Sequence, residues 1–390
     1  MRLVEVGVVK CEVEEPELRE LLPLISRILR EGAVRETIPV SRRGESLIVT
    51  GNYGLYYALT TLGVKYLPVS EGVEEVQVRL EDLGFYDEVR GDPVRVYENT
   101  LELLVKGWPT PLVRLASLSS EDVNVWAKLE CYNPFSNSVK DRIGWYMFVD
   151  AARRGELRDV IYEATSTNTG IALASMAAIH GKKARLYVPS SIQKVTDTYL
   201  RILGAEVVRT PTSLTVEAIE GVDRDAARDG ATHLNQFEND ANFKVHLRFT
   251  AKELDLQLRE RGITPSCIIG GIGTSGHMSA LSFYFKNRYG NVRVVGVQPA
   301  SGEVIPGIRR VETGMKWIHM VEFDEIVDVT LEEAVRSSIS IARREGLLAG
   351  LSSGAVVKAF LNALVAVLSG WLVRKFARAG WWGWAGARRR

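Results

Sequence analysis

From about residue 96 to residue 353 the chain alternates short apolar runs with helical segments, and this rhythm limits its possible folds more than any other feature. Val123–Leu129, Ala184–Val188, Cys267–Ile269, Val292–Val297 and Ile326–Val329 are apolar runs of strand length. Strands that are apolar throughout, separated by helices, predict a mostly parallel sheet covered on both faces. In such sheets the loops that carry chemistry lie at the carboxyl ends of the strands. Residues 1 to about 95 read differently, as a small α+β module. There the pattern predicts helices over Glu17–Glu31 and Leu55–Leu62, and strands over Glu36–Val40, Ser46–Val49 and Lys65–Val69. The 390 residues, 46% of them hydrophobic, supply core material for two or three domains. Residues 96–390 read as the second domain, with a smaller mobile subdomain over about 134–245.

Composition excludes several partners. With 49 Lys and Arg against 48 Asp and Glu, bulk charge offers nothing to a nucleic acid. Cys11, Cys131 and Cys267 are far apart and odd in number, which fits a reducing cytoplasm and neither a disulfide framework nor a metal site. The opening MRLVEVGVVKCEVEE has no signal-peptide pattern. Near the other end, Ala359–Val373 is nearly all apolar and precedes Trp381, Trp382, Trp384 and three arginines. That run is about 15 residues, short of the roughly 20 that span a bilayer. A buried helix with an irregular tail is expected, and no membrane partner.

The chemistry concentrates in five segments. Asn133-Pro134-Phe135-Ser136-Asn137-Ser138-Val139-Lys140-Asp141-Arg142 puts one lysine just past a polar turn and at a helix start. A helix N-terminus disfavours an ammonium, and a neutral lysine amine can form a Schiff base with an aldehyde cofactor. An isolated lysine in this position is ordinarily a surface residue; its sequence companions set it apart. Thr165-Ser166-Thr167-Asn168-Thr169-Gly170 follows a strand and opens a helix, a cradle for a carboxylate. Gly270-Gly271-Ile272-Gly273-Thr274-Ser275-Gly276-His277 lets backbone N–H groups approach a phosphate, yet lacks the lysine of a P-loop and the spacing of a dinucleotide fingerprint. Asn235–Phe243 is too polar for a strand interior, and Gly350–Ala355 is another small-residue turn.

In this order and spacing, the five segments resemble the fold-type-II pyridoxal-phosphate enzymes of the cysteine synthase and cystathionine β-synthase group, over about residues 96–360. NQFENDANF, GTSGHMSA and IPGIRRVETGM are most similar to the archaeal O-phosphoserine sulfhydrylase branch. The resemblance implies a tryptophan synthase β-like α/β fold of two mostly parallel αβα subdomains after the N-terminal module. It implies pyridoxal 5′-phosphate held by Lys140 as an internal aldimine, with Lys140 later moving the Cα proton. Asn168 would meet the cofactor 3′-oxygen, and Ser352 its pyridine nitrogen. Gly273, Thr274, Ser275, Gly276 and His277 would take its phosphate. Thr165, Ser166, Thr167, Thr169 and Gln236 would hold the substrate carboxylate, and Arg309 a substrate phosphate. The implied reaction makes L-cysteine from O-phospho-L-serine and sulfide through an aminoacrylate, in a cytoplasmic homodimer. O-acetylserine, or homocysteine with serine, are the rival substrates, and a non-catalytic binding or regulatory protein is the rival of another class.

Two departures stand out. Thr167 occupies a position where many members carry glycine, and a hydroxyl there is read as a mark of the phosphoserine branch. Past Ser352-Ser353-Gly354-Ala355 the chain leaves the family pattern for its Trp/Arg tail, as a reading-frame change near the gene's end would produce; sequencing the locus tests that. Residues 47–69 resemble the ParB-like nucleotide-binding fold, which includes free-serine kinases. Thr50, Tyr53 and Gly54 stand where that family carries an acid, a histidine and an arginine, so a structural or dimer-forming role is expected for this module.

Overall fold

The computed structural model describes residues 1–363, arranged in two compact units. The first comprises Met1–Ile268, Thr274–Val294 and Val311–Asp324; the second comprises Ile269–Gly273, Val295–Arg310 and the residues from Glu325 onward.

In the first unit, the amphipathic helix Leu18–Glu31 buries Leu18, Leu21, Leu22, Ile25, Ile28 and Leu29, the spacing of a single helical face, and stops at Gly32. It packs beside the helix Tyr53–Leu62 and a five-stranded sheet in the order Arg2–Glu5, Tyr66–Ser70, Ile38–Arg43, Ser46–Val49 and Val9–Lys10. The strand expected over Glu36–Val40 is in fact two. Ala33–Glu36 pairs with Glu75–Arg79, whereas Ile38–Arg43 joins the five-stranded sheet. Thr37 is buried at the break: its N–H donates to the Glu74 carbonyl at 3.0 Å, and its hydroxyl accepts the Glu74 N–H at 2.9 Å. These side-by-side bonds satisfy the backbone where it leaves one sheet for the other.

The N-terminal module continues into the same core as the helices that follow. Lys252 is fully buried, and its ammonium donates to the carbonyls of Leu62 (2.8 Å), Gly63 (3.0 Å) and Phe85 (2.6 Å). Two of those carbonyls close the helix Tyr53–Leu62, where a cation is favoured. Asp255 accepts the hydroxyls of Tyr86 and Tyr284, each at 2.6 Å, and that of Tyr289.

The central sheet of this unit is parallel, in the order Glu206–Thr210, Lys183–Pro189, Val160–Ala164 and Thr232–His233. The helices Lys140–Arg153 and Asn168–Ile179 pack together beside it. Of the strand expected over Val123–Leu129, only Trp126–Lys128 forms, antiparallel to Leu112–Arg114. The preceding residues turn instead, because the N–H groups of Val123 and Val125 go to the hydroxyls of Ser120 and Ser119. Ala241–Val245, a π-helical turn at His246–Thr250 and Ala251–Glu260 form one helical rod beside the helix Gly276–Tyr289.

The second unit carries strands Cys267–Gly271, Arg293–Pro299 and Glu325–Val329 in that order, with the helix Leu331–Glu345 begun by a Thr330–Glu333 capping box. Residues 351–363 are helical, and Ala355 and Ala359 pack with Val297, Ile305, Ile308, Val329 and Ala334. The start of the apolar run is therefore core; the rest of it, and the Trp/Arg tail, lie outside the described residues. Among the described residues no helix is long and apolar enough to cross a membrane, and no group of side chains could hold a metal ion.

Candidate active site

Lys140 is the first residue of its helix, behind a turn in which Asn137 takes φ +49°. The residue after it holds that turn. Asp141 is buried, and its carboxylate accepts the N–H groups of Phe135 (2.7 Å) and Ser136 (2.8 Å) together with the Ser136 hydroxyl. The Lys140 Nζ has no hydrogen-bond or ion-pair partner among the described residues. Its pKa falls to about 8, chiefly because burial disfavours the ammonium, with the Glu130 carboxylate pulling the other way. The sequence pointed to the helix terminus as a cause; burial adds a second in the same direction.

Beneath the turn lies a buried charge cluster. Arg142 donates to both oxygens of Glu130 (2.6 and 2.9 Å) and both of Glu253 (2.6 and 2.8 Å), and its guanidinium lies 4.4 Å from the Trp108 ring. Lys128 donates to Glu253 at 2.9 Å, and Asn133 bridges Glu130 and the Trp108 N–H. Burial would raise the Glu130 pKa, but Arg142 overcomes it and holds it at about 2.

The polar segment expected as a carboxylate cradle follows the strand Val160–Ala164 and opens the helix Asn168–Ile179. Thr165 is fully buried and its hydroxyl has no partner; Asn168 is exposed at the start of its helix. Ser166 and Thr167 are half-buried, and the Thr167 hydroxyl lies 3.3 Å from that of Thr196. The Thr169 hydroxyl donates to Gln236 Oε1 at 2.8 Å, and Gln236 Nε2 donates to the Ala164 carbonyl at 2.9 Å. The Gln236 side chain also hydrogen-bonds the buried Glu163 carboxylate. Glu163, buried on the strand, accepts the N–H groups of Asn235 and Gln236 and so fixes that loop.

At the start of the helix Gly276–Tyr289, Ser275 takes a left-handed φ of +76°, a strain that non-glycine residues carry where a site requires it. The hydroxyls of Ser275 and Ser279 are buried without partners. A Cβ on Gly276 would lie 2.5 Å from Asn242 Oδ1, so only glycine leaves the backbone open there. Unpaired hydroxyls at a helix N-terminus, with the backbone bare beside them, fit a phosphate. His277 is half-buried next to them and stays neutral, its pKa lowered to about 4 by burial and by the charges of Lys140 and Arg142, against Glu130. Its ring meets that of buried His246, 4.9 Å away on the π-helical turn.

Gly273, Arg309 and Ser352 belong to the second unit. The Arg309 backbone N–H donates to Ile272 O (2.8 Å) and its Nε to Gly273 O (2.9 Å), which seats the guanidinium on the glycine turn. A Cβ on Gly273 would sit 2.8 Å from Gly307 O, and one on Gly307 would meet Ser352 Oγ at 3.6 Å. Arg310 instead pairs with Asp328 at 2.9 Å and donates to Pro299 O at 2.7 Å.

Asn242, Asp141, Ser279, His246 and the Glu130–Arg142–Glu253 cluster were not singled out from the sequence. Asn242 and Asp141 lie inside segments that were, so their amide and acid were in view without a role.

Residues 103–370 match the family model described as pyridoxal-phosphate dependent enzyme. Cysteine synthase B of Salmonella typhimurium is 36% identical over 274 residues, 68% of this chain and 87% of that protein. Cysteine synthase B of Escherichia coli is 34% identical over 261 residues, 65% of this chain and 84% of that protein. The solved structure of O-acetylserine dependent cystathionine beta-synthase from Helicobacter pylori is similar at a TM-score of 0.62 and 28% identity, covering 68% of this chain and 89% of that one.

Proposed function

Because this chain belongs to the pyridoxal-phosphate dependent enzyme family, we propose that it catalyses a β-replacement of the cysteine synthase type on O-phospho-L-serine. The Cβ–O bond of the substrate breaks with release of phosphate, a Cβ–S bond forms with sulfide, and the Cα proton removed at the start is returned at the end. The cofactor, when bound, withdraws electron density from Cα and so makes its proton removable. Lys140 holds the cofactor through its amine, and with a pKa of about 8 that amine is ready to take and return the Cα proton near neutrality. The unpaired Thr165 hydroxyl, with Ser166, Thr167, Thr169 and Gln236, orients the substrate carboxylate. Thr274, Ser275, Gly276 and His277 grip the cofactor phosphate, and Gly273 supplies the close backbone approach. Asn168 faces the cofactor 3′-oxygen. Ser352 offers the ring nitrogen a neutral hydroxyl in place of a carboxylate, which favours elimination over transamination.

The observation that carries the phosphoserine reading is the placement of Arg309, tied by backbone and Nε to Ile272 and Gly273. A guanidinium is a planar fork suited to a phosphate dianion and is wasted on an acetyl ester. The O-acetylserine reading has its own support in the similarity to the Helicobacter pylori enzyme. The test mixes the coloured protein and sulfide with each substrate and measures L-cysteine, phosphate and acetate. Arg309→Ala should lower kcat/KM for phosphoserine about 100-fold, the loss of one charge-assisted pair, and leave acetylserine within about threefold. Equal losses on both substrates would reject the assignment. A purified protein that stays colourless with added cofactor, or a Lys140→Ala variant as yellow as its parent, would reject the enzyme itself.

A further inference from the structure

Asn242 has no access to solvent and joins the loop of Gln236 to the turn of Thr274. Its Nδ2 donates to the Gln236 carbonyl and to the Thr274 hydroxyl, both at 2.8 Å. The first bond fixes which way the amide faces, since a carbonyl can only accept. The second then makes Thr274 Oγ1 an acceptor, so its own proton must point elsewhere. Meanwhile Asn242 Oδ1 has no partner and faces the Gly276 backbone, an arrangement that costs stability and persists without a structural return.

We propose that Asn242 is a positioning residue that sets the polarity of the phosphate turn: by donating to Thr274 it commits the threonine hydroxyl to donate to the cofactor phosphate. The inference rests on the cofactor assignment above, and is indifferent to whether phosphoserine or acetylserine is the substrate. Hydrogen bonds in series polarise one another, so the amide donation also strengthens the threonine's.

The role separates two substitutions that a packing role would rank the other way. Asn242→Asp keeps shape and volume but offers a carboxylate to Thr274, which turns the hydroxyl proton inward, away from the phosphate. Asn242→Ala leaves the hydroxyl unguided and a small void. The measurement is the dissociation constant of the apoprotein for pyridoxal 5′-phosphate and for pyridoxal, which lacks the phosphate, read from cofactor absorbance. Affinity for pyridoxal phosphate should fall about tenfold in Asn242→Ala and about a hundredfold in Asn242→Asp, with pyridoxal affinity within threefold throughout. An Asp variant that binds as well as the Ala variant, or equal losses for both aldehydes, would overturn the proposal. Should the Asp variant not fold, Thr274→Val supplies the test: it should lose about tenfold, and adding Asn242→Ala to it should cost nothing further, whereas independent losses would refute the link. A parent protein that binds neither aldehyde defeats the cofactor assignment itself, a result distinct from a phosphate-blind difference among variants.

Discussion

Replacing Arg142 with methionine should convert the cluster beneath the Lys140 turn from the most tightly bonded part of the first unit into its weak point. The guanidinium is fully buried and makes four bonds to two carboxylates, Glu130 and Glu253, and among the described residues Lys128, bonded to Glu253, is the one other cation paired with them. Methionine fills much of the volume against Trp108 but leaves two acids facing one amine. Breaking a buried pair by removing one partner costs about 4 kcal/mol, which lowers the melting temperature by about 6 °C in a unit of this size. The pH dependence is the sharper test. In the parent, Glu130 has a folded pKa of about 2, below its ordinary 4.5, so its stabilising contribution is present above pH ~4.5 and is lost as pH falls towards 2. In Arg142→Met, burial is no longer opposed by the guanidinium and pushes the carboxyl above its ordinary value. The sign then reverses, and stability rises as pH falls through the raised pKa. Calorimetric melts from pH 8 to pH 5 should fall for the parent, because buried His277 and His246 stay neutral while their unfolded counterparts charge, and the gap between parent and variant should narrow as the pH falls. A variant that melts within about 2 °C of the parent at pH 8, or one whose curve runs parallel to it, would refute the reasoning.

Gly276→Ala should weaken retention of pyridoxal phosphate at least tenfold in equilibrium dialysis, because the added Cβ falls 2.5 Å from Asn242 Oδ1 and 3.3 Å from the Asn242 backbone. An unchanged affinity would show that the helix start moves freely. The rate at which apoprotein takes up the cofactor should rise from pH 7 to 9 and level off, following an amine of pKa about 8 rather than an exposed lysine near 10.4. The neutral fraction grows as pH climbs through that value, and stopped-flow absorbance reads it. A rate still climbing beyond pH 10 would place the reactive amine in ordinary solvent.

What the sequence disclosed and what it withheld follow from the range of the interactions. The strand–helix rhythm and the hydroxyl-rich turns are local, and both were readable: Lys183–Pro189, Cys267–Gly271, Arg293–Pro299 and Glu325–Val329 form within a residue or two of their expected limits. The strand over Val123–Leu129 shrank because two serine hydroxyls, a few residues upstream, compete for its N–H groups. Glu36–Val40 divided because Glu36 pairs with Glu75 whereas Ile38 and Pro39 pair with Val69 and Ser70, some 30 to 40 positions away. The groups that orient the site are separated further still. Arg142 and Glu253 are 111 positions apart, and Asn242 and Thr274 are 32 apart. Nothing in composition or spacing marks an asparagine as the donor to one particular threonine.

The adjacent arginines show how much a single tertiary contact can decide. In sequence Arg309 and Arg310 are adjacent in the same glycine-bounded turn, and the resemblance singles out Arg309 for the anion. In the fold they part. Arg310 has Asp328 as a counter-ion, and that carboxylate is held below its usual range by the arginine and by Gln298, so drawing Arg310 to a ligand would strand a charge. Arg309 donates through Nε to the Gly273 carbonyl, which fixes the direction of its guanidinium on the glycine turn. Arg310 therefore supports the strand end at Pro299, and the phosphate contact proposed above falls to Arg309.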